Sequence, residues 1–188
     1  ATALVWTELR VERCESVALA RHPLGLFADV TESAFGSALF RTELAPGLDD
    51  WRRVIPAALE PGSLGHHGLA LGDVDGDGRE DVYWCRPGGL PNKLFLHAAD
   101  DTLTDASAAS GADLLDYSSS ALLSDLDGDA DADLVVATAT GLVFHANDGR
   151  AHFAQELYLR RSLATSLAAA DHDKDGDLDV YACSYISP

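Results

Sequence analysis

Three stretches of this chain space aspartates as a hard cation would need them. They read Asp73-Val-Asp-Gly-Asp-Gly-Arg-Glu-Asp81, Asp125-Leu-Asp-Gly-Asp-Ala-Asp-Ala-Asp133 and Asp171-His-Asp-Lys-Asp-Gly-Asp-Leu-Asp179. With the first aspartate counted as position 1, all three carry Asp at 1, 3, 5 and 9, and their starts lie 52 and 46 residues apart. Like charges this close repel, so something must offset them. Calcium takes six to eight oxygen ligands in a tolerant geometry, and carboxylates at 1, 3 and 5 of a tight turn can converge on one point. The carbonyl at position 7 adds a ligand whatever its side chain, and Asp at 9 closes the cage. Magnesium prefers more water and zinc prefers His or Cys, which leaves calcium as the best assignment.

The candidate ligands are therefore Asp73, Asp75, Asp77, Arg79 (through its carbonyl) and Asp81 in the first loop. In the second they are Asp125, Asp127, Asp129, Asp131 and Asp133, and in the third Asp171, Asp173, Asp175, Asp177 and Asp179. The expected cofactor is Ca2+, one ion per loop and about three in all. The glycines at 76, 78, 128 and 176 permit the positive φ such turns need. Ala130 stands where the first and third loops have Gly78 and Gly176, and Asp131 adds an acid, so the second loop is expected to bind more weakly. The bland alternative is a solvated acidic turn without metal.

The loops are not EF-hands. Those need a bidentate Glu at position 12 and helices on both sides. Position 12 here is Trp84, Val136 and Ala182. The flanks instead read as strands. A small apolar run precedes each loop (Gly68-Leu-Ala-Leu71, Ala121-Leu-Leu123, Leu167-Ala-Ala-Ala170). A β-branched or aromatic run follows it (Val82-Tyr-Trp-Cys85, Leu134-Val-Val-Ala137, Val180-Tyr-Ala-Cys183). Further strands are expected at 93–97 and 142–145, with turns at 87–89 and 147–149.

These motifs resemble the FG-GAP/VCBS repeats of integrin-α-like β-propellers, whose calcium loop reads D-x-D-G-D-G-x-x-D and joins the first two strands of a blade. The resemblance runs from about Ser63 to Tyr185. Upstream, Leu26-Phe-Ala-Asp-Val-Thr-Glu-Ser33 is similar to an F-x-D-V-T segment that accompanies such repeats, and Leu103-Thr-Asp-Ala-Ser-Ala108 is its counterpart after the first blade. The resemblance implies an all-β fold, a β-propeller with a Ca2+ in each loop, and life outside the cytoplasm, extracellular or periplasmic. Family members mostly serve adhesion, ligand binding or assembly, and a minority are enzymes.

The expected organisation is an N-terminal part, 1–62, of strand and connecting insert, followed by three repeats over 63–188, about 63–114, 115–162 and 163–188, the last truncated. A propeller closes with four to eight blades, so the chain is expected to belong to a longer polypeptide or to be completed by another chain or segment. An early strand could fill a vacant edge, because 5–12 alternate with a period of two. Asp49 to Glu60 reads as a short helix or irregular insert interrupted at Pro56. No methionine occurs anywhere, so the start reads as processed or trimmed.

The remaining features narrow the function classes. The formal charge is −18, from 31 acidic and 13 basic residues, which argues against phosphate backbones and anionic membranes. No apolar run approaches the length of a membrane span. Cys85 and Cys183 occupy equivalent repeat positions, too far apart to pair, and are expected to be buried small hydrophobes, with Cys14 free or paired elsewhere. His66-His67 point to opposite faces of a strand, and His172 reads as a solvent-facing spacer. No nucleophile elbow, phosphate loop or zinc motif is present, so no catalytic residue is assigned.

The favoured reading is a non-enzymatic, calcium-stabilised module that binds a protein or glycan through its loops, with Trp51 a weak candidate contact. The rival is a polysaccharide-processing or other propeller enzyme whose site lies in the channel or in an absent domain. A calcium sensor is disfavoured, since strands between the loops offer no helix pair to open.

Overall fold

The computed structural model describes residues 28–46, 48–51, 53, 68–160 and 164–184. The expected early strand, Cys14, the 54–60 part of the insert, His66-His67 and the 62/63 boundary lie outside them. Contacts divide the chain into two compact units, Ala1–Val30 and Thr31–Pro188. Of the first, only residues 28–30 are described, and they form no helix or strand.

The second unit is built from antiparallel sheets that follow the repeats. Strands β1 (Leu69–Gly72), β2 (Asp81–Trp84), β3 (Lys93–His97) and β4 (Leu103–Asp105) form one four-stranded sheet in sequence order. Strands β5 (Ser118–Ser124), β6 (Asp133–Thr138), β7 (Gly141–Asn147) and β8 (Phe153–Arg160) form a second. Strands β9 (Ala164–Ala170) and β10 (Asp179–Ser184) pair as the start of a third. The acidic loops join β1 to β2, β5 to β6 and β9 to β10, and every strand expected within the repeats is present. These are all-β blades, two complete and one represented by its first two strands.

Side-chain alternation decides how the blades stack. Position 11 of the first repeat, Tyr83, shares a buried cluster with Ala70, Cys85 and Leu94 of its own blade and with Leu134 and Val136 of the second. In the second blade Leu134 and Val136, positions 10 and 12, thus face backward, while Ala137 and Leu142 pack forward with Ala164 at the start of β9. All six residues of β6 are buried, which explains the apolar run Leu134–Ala137 between Asp133 and Thr138. The blades approach most closely where Gly68 leaves room: a Cβ there would stand 2.5 Å from Ser120 Cα, and one on Gly72 3.0 Å from Leu123 Cβ. A buried polar network reinforces the contact. Asn92 Nδ2 donates to Tyr83 Oη at 3.0 Å and to Ser118 Oγ on β5 at 2.8 Å, and Tyr83 Oη donates to the Ala112 carbonyl at 2.9 Å.

Cys85 is fully buried as expected, and burial pushes its thiol up to about 12. Cys183 corrects the expectation: it is exposed, because it lies on the forward face of β10, which no described element covers. Both thiols are free.

The helical part of the unit was anticipated only near Asp49, which read as a short helix or irregular insert. Helices α1 (Thr31–Phe35) and α2 (Ser37–Leu39) run into a π-helical turn, Phe40–Leu44, and α3 (Leu48–Trp51) follows. The expected helix near Asp49 is thus present in its first turn. Phe35 contacts Phe95, and Glu43 Oε2 accepts from Arg86 Nη1 at 2.7 Å. The Arg86 guanidinium, 2% exposed, lies 5.0 Å from the Trp51 ring and 5.2 Å from that of Trp84. Trp51, a weak candidate for contact with a partner, is half-buried and lies against this arginine.

Candidate metal centres

Each acidic loop is organised by its own carboxylates in one repeated pattern. In the first, Asp73 Oδ1 accepts from the N–H of Gly76 and Asp77 at 2.8 and 3.1 Å, and its Oδ2 accepts from Gly78 N–H at 2.7 Å. Asp75 Oδ1 takes the Asp77 N–H and Asp77 Oδ1 the Arg79 N–H, at 3.2 and 2.9 Å. The second loop repeats these bonds from Asp125, Asp127 and Asp129 to the N–H groups of Gly128, Ala130, Asp129 and Asp131. The third does so from Asp171, Asp173 and Asp175 to Gly176, Asp175 and Asp177. Aspartates bond their own backbone in this way at turns.

Positions 4 and 6 carry the left-handed backbone that such a winding requires. Gly76 and Gly78 have φ of 76° and 84°, Gly128 and Ala130 of 82° and 78°, and Lys174 and Gly176 of 64° and 101°. Two of the six are not glycine. Ala130 and Lys174 accept an uncommon conformation, which costs an L-residue about 1–2 kcal/mol.

Position 9 differs from the rest. Asp81, the first residue of β2, is fully buried; its Oδ2 accepts from Val74 N–H at 2.9 Å and its Oδ1 from His97 N–H at 2.8 Å. Asp133 is held in the same way by Leu126 and Asn147, at 2.9 and 3.0 Å. Asp179 accepts from His172 N–H at 3.0 Å. This aspartate latches the head of the loop to the outgoing strand, and in the first two repeats also to the next strand.

The carboxylates converge. Oxygens of Asp73, Asp75 and Asp81 lie within 4.8 Å of one another, as do those of Asp125, Asp127 and Asp133, and of Asp171, Asp173 and Asp175. The first two trios draw on positions 1, 3 and 9, the third on 1, 3 and 5. Asp77 leaves the trio for the Arg79 guanidinium, which pairs with it while donating through Nε to the His97 carbonyl at 2.8 Å. The donor set is all oxygen, which suits a hard cation. Burial, with the nearby charges of Asp75 and Asp77, holds the Asp81 carboxyl above its ordinary range despite its two N–H donors. Lost water contact and neighbouring carboxylates raise Asp127 and Asp131 too. Such crowding of negative charge is what a bound cation relieves.

His172 is exposed, as expected of a spacer, and its ring makes a T-shaped contact with that of Tyr181. Sequence reasoning missed the partners that aim the latch, Val74, His97, Leu126 and Asn147; their roles depend on register between strands. No described helix is long and apolar enough to cross a membrane.

The family described as FG-GAP-like repeat matches residues 73–136 and again 125–182. A comparison with curated proteins returns no match. The two family matches span more than half of the 188 residues, overlap across the second acidic loop and take in all three. The chain belongs to the FG-GAP-like repeat family.

Proposed function

We infer that this chain is a calcium-stapled part of a β-propeller that works outside the cytoplasm, extracellular or periplasmic, and presents its loops to a protein or glycan partner. The observation that carries the reading is the convergence of three carboxylates at the same point of three equivalent loops. When bound, Ca2+ supplies the positive charge that lets these carboxylates stay ionised side by side. The chain's own residues do the rest. Positions 1, 3 and 5 wind the loop, position 9 latches it to the sheet, and the carbonyls of position 7 (Arg79, Asp131 and Asp177) are the further oxygens offered to each ion.

Extracellular placement fits the family and the chemistry. Weak sites of ~10⁻⁴–10⁻³ M fill outside the cell and stay empty in cytosol. A net charge of −18 disfavours nucleic acid as the partner. Loops held by a rigid sheet are the usual place for recognition.

Calorimetric titration with calcium tests the reading, combined with thermal unfolding in calcium and in EDTA. The expected result is about three equivalents bound and a melting temperature more than about 10 °C lower in chelator. Absence of binding, or binding without stabilisation, would sink it.

A further inference from the structure

Asn147, the last residue of β7, reaches two acidic loops in different blades. Its side-chain Nδ2 donates to the carbonyl of Val74, position 2 of the first loop, at 2.8 Å. The same nitrogen donates to the carbonyl of Ala132, position 8 of the second, at 3.1 Å. Its backbone N–H donates to Asp133 Oδ1 at 3.0 Å. The Val74 carbonyl takes a second bond from the Ala151 N–H, at 2.9 Å, so one turn of the second blade holds it twice. Between these residues Gly149 threads both loops. Its carbonyl faces Gly76, and a Cβ on it would collide with the Asp131 carboxylate.

These bonds are well placed to transmit a change. Asn147 is 6% exposed and Val74 is 1% exposed, so little water competes for them. Val74 stands between Asp73 and Asp75, and Ala132 beside Asp133, and these three aspartates all belong to the carboxylate trios. Among the described residues, the first blade does not share the arrangement. The corresponding residue of the first is His97, whose N–H makes the matching bond to Asp81 but whose ring lies 3.6 Å from Asp101.

We propose that Asn147 couples the first and second acidic loops, so that an ion ordering one raises the affinity of the other. The inference rests on the calcium reading above. Coupling of this kind is reciprocal and commonly amounts to five- to 150-fold in affinity. It requires an element that both sites bias, and here that element is the turn over 147–151.

The test is a calcium titration read loop by loop through hydrogen exchange. The reporting amides are Gly76, Asp77 and Gly78 in the first loop, Gly128 and Ala130 in the second, and Gly176 in the third. Asp127→Asn weakens the second site without touching Asn147. It is expected to lower the calcium affinity of the first loop by about fivefold or more and to leave the third unchanged. In an Asn147→Ala background the same substitution should change the first loop by less than about twofold. A first loop indifferent to Asp127→Asn overturns the coupling, as does an effect that survives Asn147→Ala. Should Asn147→Ala not fold, Asp127→Asn in the otherwise natural chain still decides whether the loops are linked. If no loop of the natural chain gains protection with calcium, the calcium reading itself fails; binding at unlinked loops overturns only the coupling.

Discussion

The ring of Phe35 meets that of Phe95 edge-on, with centroids 4.8 Å apart and planes at 84°. Phe95 pairs with Val82 across β2 and β3, at the position that His145 holds opposite Leu134 in the second blade. Leu134 packs backward onto the first blade. By the same alternation Val82 and Phe95 look backward from the first blade, and the helices lie on that side. Phe35→Ala is expected to cost about 1–2 kcal/mol, less than a fully buried phenylalanine would. Glu43→Gln leaves a buried guanidinium without its carboxylate and should cost about 2 kcal/mol, discounted because Glu43 is a quarter exposed. Urea melts of both variants measure this; midpoints within error of the natural chain would show the helices to be dispensable.

Ala130 and Lys174 pay for a left-handed backbone that glycine adopts freely. Ala130→Gly and Lys174→Gly should each stabilise the chain by about 0.5–1 kcal/mol, the strain relieved exceeding the extra freedom of glycine when unfolded. Gly78→Ala should lose about 1 kcal/mol for the converse reason, since an added Cβ there meets no atom and only the backbone objects. Thermal unfolding in excess calcium ranks the three, and a loss on Ala130→Gly contradicts the assignment.

His145 is 5% exposed, and both its ring nitrogens lack partners. Burial therefore lowers its pKa below the ordinary 6.5. The unfolded chain takes up a proton near the ordinary value and the folded chain only below it. Stability is thus intact above about pH 7 and falls as pH drops through 6.5 toward the folded pKa, by at most about 1.4 kcal/mol per pH unit. Replacing it with the residue of the first blade, His145→Phe, should flatten this part of the profile. Melting temperatures from pH 7.5 to 5 decide it, and parallel profiles for both proteins would rule it out.

Tyr83 Oη sits between a carbonyl and an amide, and the residue is fully buried. Tyr83→Phe strands the Ala112 carbonyl and should cost about 1–2 kcal/mol. Because Asn92 also reaches Ser118, the loss should loosen the seam between β2 and β5; hydrogen exchange that speeds up only within the first blade would argue otherwise.

The aspartates and the strands around them were legible because their signals are local: a fixed spacing, alternating side chains and runs of Val, Tyr and Leu. What distinguishes one aspartate from another was not. Asp81 and Asp77 look alike in the chain, yet the first is buried beneath Val74 and His97 while the second swings to Arg79, and strand register makes that choice. The helices over 31–44 were missed for a related reason. They are short, and Gly36, at φ 75°, divides them. Their place is set by Phe95 and Arg86, far along the chain. The exposure of Cys183 likewise depends on what stands beside its sheet, which its equivalence to Cys85 could not tell.

The alternation seen at Val82 and Tyr83 gives every blade two unlike faces. Such a contact is head-to-tail: no blade can bury its backward face against another backward face, so stacking has a direction and no self-complementary pairing can terminate it. A series built on one repeated rotation either returns to its start or runs on until something of a different kind stops it. On the backward side of the first blade, Phe95 and Arg86 meet Phe35, Glu43 and Trp51, which all lie in the helical segment. In the language of symmetry these helices stand outside the rotation that relates one blade to the next.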